Sequence, residues 1–312
     1  MSILLNPREA YGKTLVELAA ADKRIVALDA DLAKSTRGIL VEERFPERHF
    51  EMSIAEQNMV SVAVGLALGG KIPFVHSFAV FLTGRAYDQI RVGVALARSN
   101  VKLIGSSAGL SDYGDGATHQ SVEDVALMRA LPNMTVIVPS DATETAKATR
   151  AIAKYEGPVY LRLNRNDLPA VFPVEEEFCI GKVYPLRQGK HVTVFASGIM
   201  VSRSLEAAEI LAEEGIETSV INVSTIKPLD REAITALARE TGAVVVAEEH
   251  SVIGGLGSAI AEALRGEKNI AMEFVGIEDV FGQSACNYHD LLTAYNLTSE
   301  AVLSACRRVV AL

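Results

Sequence analysis

The sequence predicts an α/β protein of two doubly wound domains. Three observations predict it. The chain has 312 residues, more than one domain usually holds. Short β-branched runs alternate with longer amphipathic stretches, the pattern of βαβ units. That pattern breaks once near the middle of the chain and then resumes.

The first series of strands is IVALDA from Ile25, IPFVHS from Ile72, VKLIGSS from Val101, TVIVPS from Thr135 and PVYLRL from Pro158. Their apolar runs are nearly continuous, as parallel strands covered on both faces require. Helical patterns lie between them: AEQNMVSVAVGLAL, GRAYDQIRVGVALARS and ATETAKATRAIAKY. Asn164 to Lys190 holds prolines, an acidic run and no helical period, and predicts a connection with an edge hairpin. After it VTVFAS, ETSVIN, AVVVAE and MEFVGI alternate with helices such as SRSLEAAEILAEEG. The expected division is a mostly parallel first domain over 1–170, a linker and hairpin over 171–190, and a smaller α/β domain over 191–312.

The composition narrows the function. Hydrophobic residues make up 49% and charged residues 22%, as in a packed globular protein. A net charge of -9 argues against a nucleic-acid surface or a polybasic membrane patch. Cys179, Cys286 and Cys306 are far apart and lack CxxC spacing, so free thiols in a reducing, cytoplasmic compartment are expected. No signal peptide is expected, and the most apolar stretch, Met59 to Leu68, is too short to span a bilayer.

Four segments could carry chemistry. In SIAEQNM, Glu56 opens an apolar helix, where the helix N-terminus favours a carboxylate. It is either an ordinary first-turn acid or a buried acid facing a ligand. In HSFAVFLTGRAYDQ, Phe78 and Phe81 follow a strand end, where ligands gather in open α/β sheets, although phenylalanines are more often core. Arg85, Tyr87 and Asp88 after them read as surface or interface groups. SSAGLSDYGDGATHQSVEDVALM is a glycine-rich loop with Asp115 and His119, able to present backbone N–H groups and an imidazole to a polar substrate. Its GDG resembles the start of a magnesium–diphosphate motif, but VIVPSDATET downstream lacks the asparagine that motif needs, so no metal ligand is expected on this chain. In LRLNRNDLP, Arg165 follows a strand end and suits either a phosphate or a surface carboxylate. HExxH, GxSxG, a P-loop and a GxGxxG after a strand are all absent.

In order and spacing these segments resemble the C-terminal half of transketolase, a pyrimidine-binding domain followed by the transketolase C-terminal domain. GDGATHQSVEDVALMRALPNMTVIVPSD is the most specific piece, and FASGIMVSRSLEAAEILAEEGIETSVINVSTIKPLD with EEHSVIGGLGSAIAE carries the likeness to the end. The resemblance implies that thiamine diphosphate is the cofactor. Glu56 would hydrogen-bond N1′ of its aminopyrimidine, Phe78 and Phe81 would enclose that ring, and Asp31 in DADLAKS would touch the cofactor. Ser35, Arg8 in PREAYGK and Arg165 would bind a sugar phosphate. Asp115 and His119 would take substrate hydroxyls and the reacting oxygen, His119 as a catalytic group beside Glu56. The resemblance places the diphosphate and its Mg²⁺ or Ca²⁺ in an N-terminal half. A partner subunit is therefore implied, in an α2β2 assembly without nucleic acid or membrane.

The sequence departs from the family at three points. By spacing, a substrate-contacting histidine becomes Ser107. GRAYDQ is closer to the deoxyxylulose phosphate synthase version, and SIAEQNM lacks the usual Arg-Glu-His. The rival expectations are a split deoxyxylulose phosphate synthase, a 2-oxoacid dehydrogenase β subunit, or a non-catalytic scaffold subunit. The β subunit usually has His-Ser-Gln where this chain has Thr118-His119-Gln120, which favours transketolase.

Overall fold

The computed structural model describes residues 3–311. Among the described residues, eight strands precede residue 170: β1 Leu4–Leu5, β2 Ile25–Asp29, β3 His49–Glu51, β4 Ile72–Phe78, β5 Lys102–Ser106, β6 Thr135–Ile137, β7 Val159–Arg162 and β8 Leu168–Pro169. Six more follow: β9 Tyr184–Arg187, β10 Val192–Ala196, β11 Thr218–Asn222, β12 Thr225–Lys227, β13 Ala243–Ser251 and β14 Ala271–Ile277.

A seven-stranded sheet runs β12-β6-β7-β5-β4-β2-β3 and is parallel except for β12. A five-stranded sheet runs β14-β13-β10-β11-β9 and is parallel except for β9 at its edge. The architecture is α/β with two sheets, the first mostly parallel, as the alternating pattern predicts.

Two expectations are corrected. The edge hairpin after Asn164 does not form: β8 pairs with β1, and β9 pairs with β11 in the second sheet. The single helix expected over GRAYDQIRVGVALARS is a wide, π-wound run over Phe81–Arg85, a short α turn Tyr87–Gln89, and a second π-wound run over Ile90–Leu96. β12 is unforeseen as well, because STIKPLD lacks an apolar run; its three residues leave the second domain to extend the first sheet.

Six of the helices matter most here: α1 Pro7–Ala21, α2 Ala33–Thr36, α3 Ile39–Arg44, α4 Glu56–Leu68, α5 Tyr87–Gln89 and α6 Asp124–Ala130. The last six are α7 Ala142–Lys154, α8 Met200–Glu213, α9 Arg231–Thr241, α10 Leu256–Leu264, α11 Tyr288–Ala294 and α12 Ser299–Val310. Side chains alternate across each strand, so each sheet has two apolar faces. Val26, Leu28, Val75 and Leu103 face Met59, Val60 and Ala63 of α4. Ala27, Phe74 and Ile104 face Tyr11 and Leu15 of α1 and Ile152 of α7. The core on the α4 side continues into the second sheet through Phe195, Ile221, Val244 and Ile260, which joins the two domains. β2, β4, β5 and β7 end side by side at Asp29, Phe78, Ser106 and Arg162, and the candidate site is built on that C-terminal edge.

Candidate active site

Glu56 is the first residue of α4, and its neighbour Ala55 supplies no side-chain cap. The carboxylate thus lies where free helix N–H groups favour negative charge. Glu56 is 1% exposed, and both its oxygens accept a hydrogen bond from Arg85 Nη1 at 2.8 Å. Arg85 ends the π-wound run after β4, and its guanidinium lies 4.7 Å from the centre of the Phe81 ring. Phe78 and Phe81 are nearly parallel, with centroids 6.0 Å apart. His119 stands edge-on to both, 6.2 Å from Phe78 and 5.2 Å from Phe81. A buried carboxyl, two aromatic faces and an imidazole therefore converge, although they come from three separate segments.

The second group is cationic. Asn6 caps α1, accepting from the Arg8 and Glu9 N–H groups, and its amide donates to Arg165 O at 3.1 Å. Arg8 donates to Ser35 O at 2.7 Å and to Arg165 O at 2.8 Å, while its Nε is buried without a partner. Burial, with Arg165 beside it, pushes the Arg8 guanidinium down to about 10. Arg165 donates to Asp112 and lies 3.9 Å from Asp115. Asp112 keeps one oxygen buried and unpaired, and burial raises its carboxyl although Arg165 opposes this.

The loop bearing Asp112, Asp115 and His119 is closed at its base by mutual backbone hydrogen bonds between Gly109 and Ser121, 2.9 and 3.2 Å. Ser107, which enters it, has φ +53°, and the hydroxyls of Ser77, Ser106, Ser107 and Ser121 are buried without partners. Beneath the loop Arg162 pairs with Asp124 at 2.8 Å, and Tyr160 donates to the same carboxylate at 2.6 Å. Burial alone would raise the Asp124 carboxyl; Arg162 reverses that and holds it below its usual range.

The structure thus brings Glu56, Phe78, Phe81 and His119 into one cluster, and Arg8, Arg165 and Asp115 into another. Ser35 joins the second through its backbone oxygen. Asp31 is exposed at φ +60°, and its N–H donates to Glu51 at 2.9 Å; its hydrogen bonds do not reach the aromatic pair. Sequence reasoning treated Arg85 as a surface group and passed over Asp112. The one signal for Arg85 was its place in GRAYDQ, directly after the two phenylalanines.

The chain matches the pyrimidine binding domain of transketolase over residues 5–171 and the transketolase C-terminal domain over residues 181–302. It is 44% identical to a putative transketolase C-terminal section of Methanocaldococcus jannaschii, covering 95% of this chain and 93% of that one. It is also 44% identical to the 6-deoxy-6-sulfo-D-fructose transketolase subunit SqwH of a Clostridium species, over 97% and 94% of the two chains. A solved structure, a split gene transketolase described as an inactive beta4 tetramer, superposes with a TM-score of 0.91 at 48% identity, over 99% of both chains. The pyrimidine-binding match alone spans more than half of the sequence, and the chain belongs to the transketolase family.

Proposed function

We propose that this chain is the C-terminal subunit of a split, thiamine diphosphate-dependent transketolase. It moves a two-carbon ketol unit from a ketose (phosphate) to an aldose (phosphate) once an N-terminal subunit completes the site. The observation that carries this is the buried Glu56 carboxyl converging with Phe78, Phe81 and His119 at the strand ends.

These residues fit the aminopyrimidine end of the cofactor. Glu56 offers a carboxyl to a ring nitrogen, and two flat apolar walls stand beside it. When bound, thiamine diphosphate supplies an acidic thiazolium C–H that can become a nucleophile toward a ketose carbonyl. Glu56 holds the proton shared with N1′ of the aminopyrimidine, which requires Arg85 to yield at least one carboxylate oxygen. Phe78 and Phe81 would flank the ring and exclude water, and Asp31 would contribute a further cofactor contact. His119 holds a proton at the reacting oxygen, and Asp115 orients substrate hydroxyls. Arg8, Arg165 and Ser35 receive the anionic end of the sugar. Support for an anion comes from Arg8: burial and the neighbouring Arg165 disfavour its charge, and its Nε lacks a partner. A phosphate or a sulfonate satisfies that need, and SqwH is named for a sulfonated sugar.

The diphosphate and its Mg²⁺ or Ca²⁺ are assigned to the partner, in an α2β2 assembly. This is supported by relatives named as a C-terminal section and a subunit, each matched over almost its full length, and by the inactive beta4 tetramer. Three free cysteines support a cytoplasmic setting, and among the described residues no helix is long and apolar enough to cross a membrane.

The test is to mix this chain with a diphosphate-binding N-terminal subunit, thiamine diphosphate, magnesium, a ketose phosphate and an aldose phosphate. Activity is expected only in the mixture. Glu56→Ala should lower kcat at least about 100-fold, the usual weight of a proton-transfer group. Full activity of that variant overturns the catalytic assignment; failure of the mixture to bind thiamine diphosphate overturns the cofactor. The GRAYDQ segment, which resembles the deoxyxylulose phosphate synthase version, favours one alternative, a pyruvate donor. Pyruvate decarboxylation by the mixture, in place of ketol transfer, would select it.

A further inference from the structure

The second domain carries none of the proposed cofactor or substrate groups, yet a carboxyl from it sits under the loop that carries them. Glu249, near the end of β13, is 4% exposed. Its Oε1 accepts the Leu110 N–H at 2.8 Å, and its Oε2 accepts from Asn164 Nδ2 at 3.2 Å. The Tyr288 hydroxyl of α11 accepts from the same Asn164 Nδ2 at 2.7 Å. The Glu249 carbonyl accepts from Arg162 Nη2 at 3.0 Å. Gly109 has φ +64°, and a Cβ there would lie 2.5 Å from the Glu249 carboxyl, so this approach requires glycine.

The two segments held by this carboxyl are the ones that bear the substrate groups. Leu110 stands two residues before Asp112, and Asn164 directly precedes Arg165. Asn166 ties them again by donating to Ser111 O at 2.9 Å. The tip of the loop is braced from the same side. Gln120 donates to Gln283 O at 3.0 Å, and the Ala285 N–H donates to Tyr113 O at 2.9 Å. Glu249, Asn164 and Asn166 find their partners in one another and in the loop, so no ligand is needed to explain them.

We infer that Glu249 is a positioning residue: through Leu110 and Asn164 it sets Asp112, Asp115 and Arg165 in register for the substrate. The C-terminal domain thereby acts on substrate binding without touching the substrate. The kinetic consequence rests on the proposed ketol transfer; the structural one does not.

Glu249→Gln places an amide N–H₂ or a single acceptor where two donors now point. In hydrogen–deuterium exchange on the free chain, the amides of Leu110 to Gln120 should exchange at least about tenfold faster, the weight of one buried hydrogen bond, with α4 and β2 unchanged. In the assembled enzyme KM for the anionic sugar should rise about tenfold while kcat stays within about threefold, a split that general loss of folding does not give. Unchanged exchange in that loop overturns the inference whatever the activity. A fall in kcat alone overturns it too, because it points to chemistry rather than positioning. Should Glu249→Gln not fold, Tyr288→Phe removes an acceptor from Asn164, the amide that this carboxyl holds, and is read in the same two ways. If the wild-type mixture transfers no ketol, the proposed function fails, and the exchange result decides the inference by itself.

Discussion

Arg8 and Arg165 meet over a backbone carbonyl; Arg165 is answered on one side by Asp112 and Asp115, and Arg8 by backbone oxygens alone. The proposed anionic end of the sugar would complete the other side. Arg165→Ala should therefore raise KM for a phosphorylated sugar about 10- to 100-fold, the range for a charged hydrogen bond, and leave an unphosphorylated analogue nearly unaffected. Arg165→Lys should restore little, because a point charge cannot span Asp112 and an anion as a planar fork does. Equal losses for both sugars would show that Arg165 acts on the loop and not on the anion. At this scale the sequence was legible where a residue type belonged to a run of motifs. Glu56, Phe78, Phe81 and His119 were each ambiguous alone, and their order made the cluster. Arg85 was not legible, because its partner lies 29 positions earlier in the chain and a surface arginine looks the same in sequence.

The wide turns after β4 explain a failure of periodicity. A 3.6-residue pattern predicts one helix from Gly84, but Thr83 Oγ1 donates to Ala79 O at 2.8 Å, and Val64 of α4 lies 3.0 Å from where a Cβ of Gly93 would be. These local bonds and close contacts favour a wound-out backbone that aims Arg85 at Glu56. The union of α1 and β4 gives a test in pH. His76 is fully buried, accepts from the Tyr11 hydroxyl at 2.6 Å and donates through Nδ1 to Leu28 O at 3.0 Å. Burial pushes it down to about 4, so the folded chain prefers neutral imidazole. Its contribution is present above the ordinary histidine value of about 6.5 and is lost as pH falls towards 4, up to about 3 kcal/mol. Asp29, pushed up to about 7 by burial, titrates with the opposite sign: its contribution is complete at low pH and is lost as pH rises towards 7. The comparison is therefore wild type against His76→Gln, by denaturant unfolding at pH 7.5 and 4.5. The stability gap should narrow on acidification; parallel curves would mean that the imidazole is not held neutral.

The order of elements across the whole molecule was legible because each strand and helix carries its own period. How the two halves join was not, because β12 lacks an apolar run and the joining side chains lie far apart in the sequence. Glu144 of α7 is buried and accepts from Asn222 Nδ2 at 2.9 and 3.0 Å and from the Ser224 hydroxyl, which crosses between the domains. Glu144→Ala should leave Asn222 and Ser224 unsatisfied and cost about 3 kcal/mol, read as a loss of cooperative thermal unfolding temperature. A change within 1 °C would show that the joint bears no strain. β12 has a further consequence. A strand borrowed from beyond residue 220 covers β6, so the first sheet keeps a free edge on that side until the second domain has been made. A fragment ending near residue 190 would bare the backbone of Thr135–Ile137, an invitation to pair with its own copies, and should be recovered as aggregate. During synthesis the same edge stays open until the ribosome has passed residue 227, which makes the second domain a late-arriving guard for the first.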